Sequence, residues 1–149
     1  MNFWDQYTNY FEPEEFADPL HPGSGEYADK DMVLCLDDMR EEAGCKVVTM
    51  ASVGGAVDVD GVHGHAKNSY HLWKNGAKAV DFYIPGTMDV RDQVRLMLRS
   101  AFTGIGMYYN MWKDHNGVLL PVAFHGDTRP VKKFQVWTCR EHGKYVYLI

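Results

Sequence analysis

Asp81 stands in the middle of an otherwise apolar, strand-like run, Ala79-Val80-Asp81-Phe82-Tyr83-Ile84. A carboxylate buried there without a partner costs several kcal/mol or shifts its pKa. Any fold of this chain must therefore bring it a partner, and a cation would serve. His125 repeats the pattern at the end of Leu119-Leu120-Pro121-Val122-Ala123-Phe124. Asp127 lies two residues on, so a continuing strand turns it to the same face as His125. His71 follows Ser69-Tyr70 and precedes Leu72-Trp73. Two histidines and a carboxylate suit one zinc ion, and three protein ligands leave the fourth tetrahedral position open, as in a catalytic site. Taken alone, His71 beside apolar residues reads as a structural or surface histidine. The spacing lacks the compact H-E-x-x-H form, so it is a weak signal by itself.

The rest of the chain reads as one α+β domain over residues 1–149, with a small, mostly antiparallel sheet and flanking helices. Residues 1–28 are aromatic and broken by Pro13, Pro19, Pro22, Gly23 and Gly25, which predicts an arm packed over the domain. Its aromatic residues Trp4, Tyr7, Tyr10, Phe11 and Phe16 read as staples to the core, with a glycan platform as the alternative. Asp29 or Asp31 caps a helix to about Ala43, where Met32, Cys35, Leu36 and Met39 recur at helical spacing and Gly44 supplies the stop. Asp89 caps a second helix to roughly Phe102, with Val90, Val94, Met97 and Leu98 expected inside. Strands are expected at Lys46–Ala51, Ala79–Ile84, Ile105–Tyr109, Leu119–His125, Phe134–Thr138 and Lys144–Leu148. Val53 to Asn68 is glycine-rich and reads as a long loop, a kind of segment that tends to carry function.

Composition excludes some classes. A net charge of -5 argues against a nucleic-acid binder, which usually shows a basic face. No run approaches the ~18 apolar residues of a membrane span, so no membrane insertion is expected. Met1 to Gln6 has neither a basic nor an apolar leader region, which predicts no signal peptide. Cys35, Cys45 and Cys139 are widely spaced with no C-x-x-C, which favours reduced thiols and a cytoplasm; one disulfide with a spare thiol is the alternative.

Five segments carry a resemblance. Ala66-Lys67-Asn68-Ser69-Tyr70-His71 resembles the Ser-x-His segment of the zinc D-alanyl-D-alanine carboxypeptidase and hedgehog-like peptidase family. Gly76, Ala79 and Asp81 resemble the Gly-x-Ala-x-Asp part of that motif. Phe124-His125-Gly126-Asp127-Thr128-Arg129 is similar to the His-x-Asp-x-Arg ending of a branch common in phage and bacterial cell-wall enzymes. Tyr10-Phe11 with Glu14-Glu15-Phe16, and Gly104-Ile105-Gly106-Met107-Tyr108, resemble that branch's opening and its strand before the last histidine.

The resemblance implies His71, Asp81 and His125 as zinc ligands, with Ser69 hydrogen-bonding behind one of them. It implies hydrolysis of an amide in a peptidoglycan stem peptide, by a carboxylate that accepts the proton of the attacking water. A phage endolysin or virion protein, acting on the wall after release from the host cytoplasm or from the particle, is the expected setting. Other virion proteins are then the further partners.

The chain departs from the pattern in three places. Trp73-Lys74-Asn75 looks like an insertion that a loop can absorb. Val122 stands where many relatives carry the acidic base, which leaves Asp127 as the catalytic candidate ahead of Asp114 and Glu141. Near Ala51-Ser52-Val53 the family often has an arginine for a substrate carboxylate; Arg129 could substitute or could form an ion pair. A non-catalytic descendant, a structural or binding module of a phage particle, is the second reading. It would pair Asp127 with Arg129 away from the metal. His63 and His65 read as lid, substrate contact or exposed residues, Asp58 and Asp60 as a solvated turn, Trp73 and Tyr83 as groove-lining, and Trp112 and Trp137 as core.

Overall fold

The computed structural model describes residues 2–149. The aromatic arm opens with a short helix, α1 (Phe3–Tyr7), whose N-cap Asn2 accepts from the Asp5 amide. Trp4, Phe11 and Phe16 turn inward and are buried, with Phe11 and Phe16 meeting edge to face at 5.6 Å. These rings staple the arm, whereas Tyr7 and Tyr10 stay exposed.

In helix α2 (Lys30–Ala43), Asp29 accepts from the Met32 amide and Gly44 closes the last turn onto the Arg40 and Glu41 carbonyls. Met32, Val33, Leu36 and Met39 form its buried stripe. The buried Asp37 carboxylate on the same helix accepts from the Asn9 and Tyr10 amides and fixes the arm's path. Helix α3 (Val90–Arg99) is capped by Asp89 and buries Leu96 and Met97. Leu98, expected inside, is half exposed, because it sits about 100° around the helix from Met97. Phe102 lies beyond the helix end and is buried in the core.

Six strands, β1 (Val48–Thr49), β2 (Ala79–Tyr83), β3 (Gly104–Tyr109), β4 (Val122–Asp127), β5 (Gln135–Glu141) and β6 (Lys144–Tyr147), form one sheet in the order β1-β2-β4-β3-β5-β6. Neighbours run antiparallel except β3 and β5, which are parallel. The architecture is α+β. The first strand is far shorter than the expected Lys46–Ala51, because the chain turns into a 3-10 helix at Ala51–Val53. The fourth starts at Val122 rather than Leu119, whose only pairing is an isolated bridge to Lys113.

Alternation divides the sheet into two faces. Val80, Phe82, Ile105, Met107, Val122, Phe124 and Val136 pack with the stripes of α2 and α3 in one apolar cluster. The opposite face carries Asp81, His125, Gly106 and Trp137 side by side in a single row across β2, β4, β3 and β5. Asp127, Gly104 and Gln135 form the next row. Among the described residues no helix is long and apolar enough to cross a membrane.

Candidate metal centre

Asp81 and His125 are directly paired residues of adjacent antiparallel strands, so their side chains rise together from the sheet. His71 reaches the same point from the glycine-rich loop. That loop is pinned where it matters: the Asp58 amide donates to the His71 carbonyl, and the Ser69 hydroxyl accepts from the His71 amide at 3.2 Å. His71 and His125 are both buried.

The two histidines are fixed from behind. His71 Nδ1 sits 2.9 Å from the Ala56 carbonyl oxygen, which can only accept, so this nitrogen carries the proton. His125 Nε2 lies 2.8 Å from Asp127 Oδ2 and donates to it. In the neutral rings the lone pairs are then on His71 Nε2 and His125 Nδ1. These two atoms are 3.3 Å apart, and each is near Asp81 Oδ1, at 3.2 Å and 3.0 Å. With both rings neutral, three acceptors converge; a proton on His125 Nδ1 or a bound cation satisfies them. A tetrahedral zinc with ligands at ~2.0–2.1 Å separates them by about 3.3 Å, so the triangle fits that ion.

In the metal-free site the charges support one another. Burial opposes ionisation of Asp81, yet His71 and His125 hold its carboxyl well below the usual carboxylate range. Burial also opposes charge on His125, but Asp127 and Asp81 on its two sides push it up to about 9.

Asp127 was expected to face the attacking water. It lies instead behind His125, on the ring nitrogen remote from Asp81, and is fully buried. Arg129 grips both its oxygens, Nε on Oδ1 at 2.8 Å and Nη2 on Oδ2 at 2.6 Å. Burial would raise the Asp127 carboxyl, but the Arg129 and His125 bonds hold it well below the usual range. Its place is that of a group that orients the His125 ring. Arg129 is committed to this ion pair and to Gln135 Oε1 at 3.2 Å, and lies between the Tyr70 and Trp137 rings. Of its two expected roles, the ion pair is the one observed.

His65 stacks on His71, ring centroids 4.2 Å apart and planes 10° apart. Proximity alone groups His65 with His71 and Asp81 as possible ligands within 4.8 Å of one another. Geometry separates them: lone pairs lie in the ring plane, and the point that His71 faces is outside the parallel plane of His65. His65 therefore stands beside the triangle. Its Nδ1 is held 2.9 Å from Asp58 Oδ2. Asp58, expected in a solvated turn, is fully buried; it accepts from the Gly61 and Val62 amides and organises the loop from inside. Asp60 is exposed and pairs with His21. His63 is bound to the buried Asp18 at 2.8 Å. Asp18, Asp58 and His63 also cluster closely enough for a metal. Backbone amides fill those carboxylates, Val59 and Leu20 on Asp18 among them.

Two other expectations change. Trp73 does not reach the site: it is about half exposed and stacks on Tyr27 at 4.3 Å, so the inserted segment is a surface turn. Trp112 and Trp137, read as core, line the cleft with His71, Asp81, His125 and Tyr108. That cleft encloses about 760 Å³. Trp137 can lie across β3 because Gly106 has no side chain; a Cβ there would come within 2.7 Å of the indole. The signal for this was in the sequence, in two glycines at alternate positions of one strand. Comparison with protein-family models, with curated proteins and with solved structures gave no match to this chain.

Proposed function

We propose that this protein is a zinc-dependent hydrolase of an amide bond in peptidoglycan stem peptides. The observation that carries the reading is the convergence of His71 Nε2, His125 Nδ1 and Asp81 Oδ1, three lone-pair atoms at tetrahedral-edge separations in a buried corner of a cleft. A zinc ion held there would supply a Lewis acid and an acidified water. The substrate class, the hedgehog-like fold relation and the phage setting rest on the resemblance of the Ser69–His71, Gly76–Asp81 and His125–Arg129 segments.

The protein's own groups divide the remaining work. Asp127 orients His125, and the Ala56 carbonyl orients His71. His65 takes over the proton-handling role first assigned to Asp127. Burial and the adjacent His71 hold the His65 imidazole below its ordinary value despite Asp58, which keeps it in the proton-accepting form near neutral pH. Arg129, the one arginine lining the cleft among the described residues, is tied to Asp127 rather than open to a terminal carboxylate, which favours cleavage of an internal amide over strict carboxypeptidase action.

One observation favours a second reading. Asp127 is paired with Arg129 away from the open side of the triangle, as expected of a non-catalytic descendant in a phage particle. The deciding experiment is metal content of the purified protein, paired with amino-group release from purified peptidoglycan before and after chelation. One zinc per chain with chelator-sensitive release supports the hydrolase; zinc without turnover supports the descendant; absence of metal removes both.

A further inference from the structure

Tyr108 stands one row from His125 on the cleft face of β3, opposite the small Ala123. Diagonal neighbours of this kind are ~7–8 Å apart at their backbones, within reach of an aromatic side chain. Two contacts make the phenol rigid. Its ring stacks on Trp112 at 4.1 Å with planes 18° apart. Its oxygen accepts from the Trp137 indole N–H at 3.1 Å. The Trp137 ring in turn leans on His125, with centroids 5.2 Å apart. An indole N–H can only donate, so Tyr108 keeps its own O–H proton for another acceptor. Among the described residues none is hydrogen-bonded to it. The hydroxyl lines the same cleft as His71, Asp81 and His125.

We propose that the Tyr108 hydroxyl is the donor that holds the carbonyl oxygen of the scissile amide as that oxygen gains negative charge. The inference rests on the hydrolase reading above and adds a catalytic residue to it. A preorganised donor at that oxygen is worth more than the same group in water, because it needs no reorganisation as the charge develops. Burial pushes the phenol above its ordinary value and the nearby Asp81 adds to this, against the Trp137 bond, so the group stays protonated. Trp137 is the positioning residue: it occupies one lone pair and so restricts the directions open to the O–H.

The test uses the zinc-loaded full chain and Tyr108→Phe, which keeps the stacked ring and removes only the donor. Turnover is read on a soluble muropeptide. Binding is read calorimetrically with a phosphinate analogue of an internal stem-peptide amide, whose tetrahedral oxygens mimic the developing charge. The expected result is a fall in kcat of about a hundredfold and an equal weakening of phosphinate binding, with KM nearly unchanged. Zinc stoichiometry should be that of the parent. A variant that keeps both kcat and phosphinate affinity overturns the role of Tyr108 and leaves the hydrolase reading standing. A zinc-loaded parent that neither turns over the muropeptide nor binds the phosphinate overturns both. If Tyr108→Phe does not fold, Trp137→Phe replaces it. Loss of phosphinate affinity with zinc retained supports the proposal, and unchanged affinity sinks it.

Discussion

At the scale of single residues, the chemistry of this protein turns on His125, whose two nitrogens have different employers. One faces Asp81 and His71; the other is held by Asp127, itself clamped by Arg129. Asp127→Asn keeps a hydrogen-bonding shape but removes the charge that, on the zinc reading, would strengthen His125 as a ligand. Zinc affinity should fall by about 10–100-fold. Competition against a chelating dye measures it, and an affinity equal to the parent's would show that Asp127 does not tune the ligand. His65→Gln separates the proton-handling role from the ligand role. Zinc should stay bound while kcat falls by about 10²–10⁴-fold. If zinc is lost with His65, the ring is itself a ligand rather than a neighbour of the triangle. Asp81 and His125 stand out in the sequence because a polar group inside an apolar strand is anomalous, and His71 through the Ser69–His71 resemblance; the structure brings the three together. Sequence reasoning misassigned Asp127, because period-2 alternation reports the face of a side chain and not which neighbour it leans on.

At the scale of elements, the boundaries that a local chemical signal marks were legible and the rest were not. Helix α2 begins after Asp29 and ends at Gly44 as the capping residues predict. Strand β1 carries no such mark. Its pairing stops at Thr49, where the chain turns to bring the Met50 amide onto the Asp81 carbonyl at 2.8 Å. Strand β3 shows how an element can be shaped by what crosses it. Gly104 leaves room for the Asp127–Arg129 pair and Gly106 for the Trp137 indole. Gly106→Ala should therefore cost about 1–3 kcal/mol through overpacking, in a strand where alanine would otherwise be tolerated. It should also weaken zinc binding, because Trp137 leans on His125. Denaturant unfolding and a zinc titration of the same variant provide the check; stability at or above the parent's would mean that the indole has somewhere else to go.

At the scale of the whole molecule, the zinc reading links metal, pH and stability through the same cluster. In the metal-free protein His125 is pushed up to about 9 by its two carboxylates, against about 6.5 unfolded. Its contribution is fully present below pH ~6.5 and is lost as pH rises through about 9. Asp81 and Asp127 are held below their unfolded values, so their contribution is present above pH ~4 and is lost as pH falls further. A ligand histidine must give up that proton, so zinc affinity should rise with pH up to about 9. The gap in Tm between zinc-loaded and chelated protein should accordingly widen from pH 6 to pH 9. A gap that is constant or narrows would place the metal on other residues. The sequence alone determined the helices with their caps, the apolar strands, and the fact that Asp81 and His125 needed partners, because propensity, capping and alternation act within a few residues. Only the tertiary structure decided that Asp81 and His125 are paired across two strands, that His65 stands on His71, that Asp127 serves His125 from behind, and that Tyr108 and Trp137 face the cleft. These are matters of register, strand order and loop path, which depend on contacts between residues tens of positions apart.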